Sequence, residues 1–236
     1  LNVIDLAGDL ANREPLYAAL DEYDPVMFFG VGHGTAWIFT GQGLNVFLFE
    51  HCMPNTEKLA GRDSYLLSCL TAQRLGPDII TKGGLSYNGW ATEYDWIIEY
   101  TDTTKVGDIP VDKYDKAFGD TSNLDVMLYA IGATRGLSYK AVTQLSRWWV
   151  EFWETQTDPV APEVIKYLTN DNLANDDPYL GHKLMGDITR RRDVPTHESV
   201  VQAIRIPKQT ANIPFKMAIT VACAQGCDLR GMRVQL

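Results

Sequence analysis

Apolar runs and helical spacings alternate through the first half of the chain. Asn2–Leu6 reads as a short strand or approach segment, and the spacing of Leu16, Leu20 and Tyr23 predicts a helix over Ala11–Tyr23 with Asn12 at its N-cap. Beyond Pro25, Val26–Val31 contains no polar residue, the pattern of a strand covered on both faces, as in a parallel sheet. Thr35–Phe49 predicts two short strands around the turn Gly41-Gln42-Gly43. Thr56–Gly61 is expected to be a short helical segment, and Tyr65–Ser68 a second core strand. Leu70–Leu75 is expected to begin a helix closed by Gly76-Pro77. Asp78–Thr81 reads as a third β-rich run that breaks at Gly83-Gly84, and the aromatic-rich Ser86–Trp96 follows. This alternation predicts an α/β layer fold.

The second half has a different texture. Thr101–Ser122 is polar and poor in apolar residues, which predicts a long exposed loop, open to proteases at Lys105, Lys113 and Lys116. Leu124–Glu154 carries two helical stripes, one through Leu124, Met127, Leu128 and Ile131. The other runs through Ala141, Leu145, Trp148, Trp149 and Phe152, and an aromatic stripe at that spacing predicts core. Val164–Leu168 suggests a further helical turn. His182–Ile188 leads into Arg190-Arg191-Arg192, and Pro195 marks a boundary. Val200–Ile206 and Pro214–Cys223 read as an appended pair of strands.

Composition narrows the classes of function. The 236 residues suffice for one large domain or a domain with an appendage. A formal charge of −9 argues against a nucleic-acid backbone as partner. The Arg190–Arg192 cluster, beside Asp187 and Asp193, reads as a solvated or ion-paired turn. No stretch approaches the roughly 20 apolar residues of a membrane span. No secretory signal is visible, and because the chain opens on Leu1 it is expected to be a processed or excised portion, so no compartment is assigned. Four cysteines are too few for a disulfide framework. Cys223 and Cys227 offer two ligands at most, and the adjacent His51 and Cys52 would point to opposite faces of a strand. No metal and no cofactor is therefore expected.

Two stretches share one grammar. Pro25–Thr35 (P-V-M-F-F-G-V-G-H-G-T) ends an apolar run in Gly32, His33 and Gly34. Ser64–Ala72 (S-Y-L-L-S-C-L-T-A) ends a second in Cys69. Ligands meet open α/β sheets outside the carboxyl ends of strands, so two such strands would set a histidine beside a thiol. A helix beginning at Cys69 would place its N–H groups near the sulfur, and histidine could protonate a leaving amine.

The blocks F-F-G-V-G-H-G-T and Y-L-L-S-C-L-T-A-Q-R-L-G resemble the His-Gly and Cys blocks of caspase-like cysteine peptidases, and are most similar to the gingipain-type family. I-I-T-K-G-G-L-S-Y-N-G-W (79–90), R-G-L-S-Y-K-A-V (135–142) and H-K-L-M-G-D-I-T (182–189) resemble later blocks of that family in the same order. Ile188 stands where the family usually has proline, and the N-terminal subdomain of gingipains is not present. The resemblance implies a three-layer αβα sandwich with a mostly parallel central sheet over residues 1–195, followed by a β-rich C-terminal extension at 196–236. It implies a cysteine endopeptidase acting on a peptide or protein substrate. Cys69 would be the nucleophile and His33 the proton donor and acceptor. The N–H groups of Gly34 and Cys69 would hold the oxyanion, at roughly 3–4 kcal/mol per donor. Trp90 and Asn88 would line the substrate pocket, and Thr101–Ser122 would be a processing loop.

Two alternatives stand beside this reading. One is a catalytically silent caspase-like module serving protein interaction or assembly. The other is a metal-dependent hydrolase using His33, His51 and cysteine, for which no customary ligand spacing is present.

Overall fold

The computed structural model describes residues 3–50, 54–97, 103–106, 109–170, 173, 180–191, 199–205 and 218–223. The elements in chain order are α1 (Arg13–Tyr23), β1 (Met27–Val31), β2 (Ile38–Thr40), β3 (Val46–Phe49), β4 (Asp63–Leu67), α2 (Leu75–Thr81) and β5 (Ser86–Trp90). They continue as β6 (Thr103–Val106), β7 (Ile109–Asp112), α3 (Asp115–Ala130), α4 (Arg135–Glu154), α5 (Ala161–Asn170), β8 (His182–Gly186), β9 (Ser199–Arg205) and β10 (Ala218–Cys223). The protein is α/β, with a mostly parallel mixed sheet. It divides into two compact units, Leu1–Tyr94 with Asn170–Arg190, and Asp95–Thr169 with Arg191–Leu236. This division passes through the expected 1–195 segment between Tyr94 and Asp95.

The first unit is built on a four-stranded sheet in the order β1-β4-β5-β8. β1, β4 and β5 run parallel, and β8 closes the far side antiparallel to β5. Strand alternation sends Leu66 and Tyr87 into one core with Leu16 and Leu20 of α1, Phe39 and Leu48 of the β2–β3 hairpin, and Leu75 and Ile79 of α2. The opposite face carries aromatic rings. Tyr65 meets Trp90 edge-on, and Trp90 stacks on His182 with 4.5 Å between ring centroids.

Several expectations give way here. β1 is an edge strand rather than one covered on both faces: Phe29 is 42% and Val31 62% exposed. An unbroken apolar run does not separate an edge strand packed on one side from a central one. Gly76-Pro77 lies in the first turn of α2 instead of closing a helix, because proline has no N–H to lose where none is bonded. Asp78–Thr81 is consequently helix, not strand. Residues 3–6 form no strand. The hairpin expected within Thr35–Phe49 is present as β2 and β3, with the 3-10 turn Gln42–Leu44 between them. α1 is flanked by Asn12 as expected, although the Asn12 side chain donates back to the Asp9 carbonyl rather than capping the helix.

The second unit is helical, with two antiparallel strand pairs, β6–β7 and β9–β10. Its core joins Phe118, Leu124 and Leu128 of α3 to Leu145, Trp149 and Trp153 of α4 and to Val164 and Leu168 of α5. The long loop expected over Thr101–Ser122 is instead, where described, a hairpin and the start of a helix. The Asp112 carboxylate accepts the N–H groups of Tyr114 and Asp115 and so caps α3. Thr134 Oγ1 accepts the Leu137 N–H at the head of α4. Between α3 and α4 the buried carboxylate of Asp125 pairs with Arg135 at 2.8 Å, both side chains fully buried. Among the described residues no helix is long and apolar enough to cross a membrane. Pro195, His51, Cys52 and Cys227 lie outside the described residues.

Candidate active site at the ends of β1 and β4

β1 and β4 are neighbours in register from Met27 opposite Asp63 to Val31 opposite Leu67. Parallel pairing of equal-length strands brings their C-terminal ends out side by side. The Gly32 N–H extends the ladder by donating to the Leu67 carbonyl at 3.2 Å. His33 follows at once on β1, and Ser68-Cys69 on β4.

The backbone at His33 is clamped to the β2–β3 hairpin. Its carbonyl accepts the Thr40 N–H at 2.9 Å and the Thr40 hydroxyl at 3.2 Å, and Thr35 N–H donates to Ile38 at 3.0 Å. Gly32 makes that clamp possible, because a Cβ there would lie 2.2 Å from the Thr40 carbonyl oxygen. The imidazole of His33 is exposed.

Gly34 carries the two turns into contact. A Cβ at this position would lie 2.6 Å from the Cys69 carbonyl oxygen and 2.6 Å from Thr71 Cγ2. Only a residue without a side chain allows the His33 turn to close on the Cys69 turn at this distance. Farther along, Leu75 N–H donates to the Ala36 carbonyl at 2.8 Å and ties the same two segments again.

Cys69 sits partly buried in a sharp turn. Leu70, the next residue, has φ of 62°, a left-handed conformation that branched side chains resist. The turn is over-determined by its bonds: Leu70 N–H donates to Thr92 at 2.8 Å and Ala72 N–H to Trp90 at 2.9 Å. Beneath it, Tyr87 donates its hydroxyl to Thr71 Oγ1 at 2.8 Å, and Thr71 Oγ1 lies 3.0 Å from Ser68 Oγ. Burial pushes the Tyr87 hydroxyl far above the ordinary tyrosine range, so it stays neutral and donating. At the sulfur, Sγ accepts the Tyr94 N–H at 3.4 Å.

The sequence-based expectation for this sulfur needs one correction. Cys69 does not begin a helix: turns occupy 68–74 and α2 starts only at Leu75. The N–H directed at Sγ therefore comes from the segment after β5 and not from a helix end. The N–H groups of Gly34 and Cys69 have no acceptor among the described residues.

His33, Gly34 and Cys69 are thus placed on adjoining turns, whereas the two expected pocket residues are not open to a ligand. Trp90 is 2% exposed and stacked on His182, and Asn88 is fully buried in β5. Sequence reasoning did not single out Ser68, Thr71 and Tyr87, which share one polar network. Their Ser-x-x-Thr spacing within a turn was the available signal. Nor did it find Arg74, whose guanidinium lies 3.6 Å from the Trp37 ring centroid while pairing with Glu50 at 3.0 Å. Among the described residues no group of three or more His, Cys, Asp or Glu side chains is arranged to hold a metal.

Comparison with known proteins yields no relatives: no family model matches the chain, and no curated protein or solved structure is significantly similar to it.

Proposed function

We propose that the protein is a caspase-like cysteine endopeptidase whose α/β core belongs to a three-layer αβα sandwich. Cys69 passes its thiol proton to His33 as Sγ attacks the scissile carbonyl of a peptide or protein substrate, and the oxyanion formed is received by the N–H groups of Gly34 and Cys69. Collapse of that intermediate expels the amine, which takes its proton from His33, and leaves a thioester on Cys69. His33 then accepts a proton from water as the water attacks the thioester, and returns it to the sulfur that leaves, which releases the acid and restores the thiol. The observation that carries this reading is the contact of Gly34 with the Cys69 carbonyl, which sets the two chemistry-bearing strand ends against each other. Trp90 and Asn88 support the site from within rather than forming its wall.

A second reading, a silent caspase-like module used in protein interaction or assembly, draws support from the sulfur itself. Sγ receives the Tyr94 N–H and the His33 imidazole is exposed. Labelling with a library of peptidyl thiol-reactive probes separates the two. Wild type should label in a peptide-dependent manner, Cys69→Ala not at all, and His33→Ala at least about 100-fold more slowly, as expected for a general acid–base group. Labelling that survives Cys69→Ala excludes this nucleophile. A thiol that reacts with small alkylating agents but with no peptidyl probe favours the silent module.

A further inference from the structure

Three hydroxyl groups lie in the interior directly beneath the turn that carries Cys69. Tyr87 and Thr71 are fully buried, and Ser68 is 2% exposed. Tyr87 donates its hydroxyl to Thr71 Oγ1 at 2.8 Å, and Thr71 Oγ1 is 3.0 Å from Ser68 Oγ. One network thus joins β5 to residues on both sides of Cys69. Away from water such bonds are kept made, because a group left unpaired there carries the whole loss of its hydration.

This network bears on both of the proposed oxyanion donors. The Cys69 N–H belongs to the peptide that Ser68 begins, so the bond at Ser68 Oγ restrains that peptide directly. Gly34 rests on the same two residues: a Cβ there would lie 2.6 Å from Thr71 Cγ2 and 3.1 Å from Ser68 Cβ. A shift of Ser68 or Thr71 therefore moves one donor through the main chain and the other through contact.

Tyr87 is suited to be the fixed end. It lies in β5, paired on one side with β4 and on the other with β8. Its ring is closely enclosed, since a Cβ on Gly76 would run into the ring and one on Gly89 into the hydroxyl. Gly76 also donates its N–H to the Thr71 carbonyl at 2.8 Å, so the main chain and the side chain of Thr71 are both held. Burial keeps the Tyr87 hydroxyl protonated and able to donate. Oxyanion donors are most effective when they are already aimed before charge develops, which requires support that does not relax.

We propose that Tyr87 is a positioning residue for the oxyanion site. Through Thr71 and Ser68 it holds the N–H groups of Cys69 and Gly34 toward the point where negative charge develops. This inference rests on the peptidase reading and adds to it a buried side chain that touches no substrate.

The test compares two reactions of the Cys69 thiol in the full chain. A peptidyl aldehyde with the sequence of the best-labelling library probe adds to the thiol as a hemithioacetal, whose oxygen takes the oxyanion position. Iodoacetamide alkylates the same sulfur by displacing iodide and builds no oxyanion. Tyr87→Phe removes only the hydroxyl, and should weaken aldehyde binding by about tenfold or more while the iodoacetamide rate stays within about twofold. Thr71→Val keeps a methyl group against Gly34 and should reproduce that split even where Tyr87→Phe proves unstable. Thr71→Ser keeps the hydroxyl and should stay close to wild type. The double variant Tyr87→Phe/Thr71→Val should lose little more than either single one, because both break the same network. Ile79→Val, in the same core, lowers stability without touching the hydroxyls and should leave the ratio of the two reactions unchanged. A purely structural role lowers the unfolding temperature with both reactions unchanged or both slowed alike, and either result in Tyr87→Phe and Thr71→Val would overturn the proposal. A wild-type protein that reacts with iodoacetamide but binds no peptidyl aldehyde would overturn the peptidase reading itself, and the proposal with it.

Discussion

Gly34→Ala isolates the contact on which the active-site reading rests. The new methyl carbon would lie 2.6 Å from the Cys69 carbonyl oxygen, against about 3.4 Å for an ordinary contact, so the two turns must part by about 0.8 Å. Neither side yields easily, because the Cys69 turn is held through Leu70 and Ala72 and the His33 turn through Thr40. Overpacking of this kind costs about 1–3 kcal/mol, which for a chain of this size lowers Tm by roughly 2–10 °C. The chemical cost should be larger. Displacement of reacting groups by about 1 Å, together with loss of an aligned oxyanion donor, is worth about 100-fold or more in rate. The assay pairs thermal unfolding with the rate of Cys69 labelling by the best peptidyl probe. Gly119→Ala serves as control, since a Cβ on α3 at that position meets nothing within 4 Å. That substitution should leave the labelling rate unchanged and be neutral or slightly stabilising. A Gly34→Ala protein that labels within about threefold of wild type refutes the argument, because a rate so little changed is incompatible with a displaced oxyanion donor.

Two further outcomes bear on the second unit. Asp125→Ala leaves the Arg135 guanidinium buried without its carboxylate and should cost about 3–5 kcal/mol in urea unfolding, whereas Asp125→Leu combined with Arg135→Met should recover much of that loss. A cost below about 1 kcal/mol for Asp125→Ala would show that the pair is not buried as described. The Val160 N–H and the Lys113 ammonium hold the Asp158 carboxyl below its ordinary value of 3.8, so its contribution to stability is present above that pH and is lost as pH falls through the depressed value. Asp158→Asn should therefore flatten the fall in stability between pH 5 and pH 2, measured by urea unfolding, and an unchanged slope would exclude Asp158 as its source.

Strand ends were more legible than the segments between them. β1 and β4 announce themselves because each apolar run stops at a residue with a distinct physical role, glycine in one and cysteine in the other. α2 was hidden by Gly76-Pro77, a pair that ends helices in most contexts but here sits where proline costs nothing. The start of α3 was hidden for another reason: its buried side chains include Thr121 and Ser122, which blur an apolar stripe. Both hydroxyls bond back to carbonyls of the preceding turn, so polar residues are buried at little cost. The approach of Gly34 to Cys69 depends on strand order and could not be read from either stretch alone.

Trp90 holds the cysteine turn from the interior of the fold. Its ring is held by Tyr65, Tyr94 and His182, with centroid separations of 5.7, 4.9 and 4.5 Å. Its carbonyl accepts the Ala72 N–H, and the Thr92 carbonyl two residues later accepts that of Leu70. These two bonds flank the left-handed Leu70, a conformation that costs of order 1–3 kcal/mol and persists only where its surroundings enforce it. Cys69 immediately precedes that strained residue, and the Tyr94 N–H that reaches its sulfur comes from the same segment. The rigid aromatic packing of β5 is thereby transmitted to the sulfur through main-chain bonds. Residues that build the cysteine turn lie in the interior, so under the proposed peptidase function recognition of substrate would fall to the exposed side of the two turns.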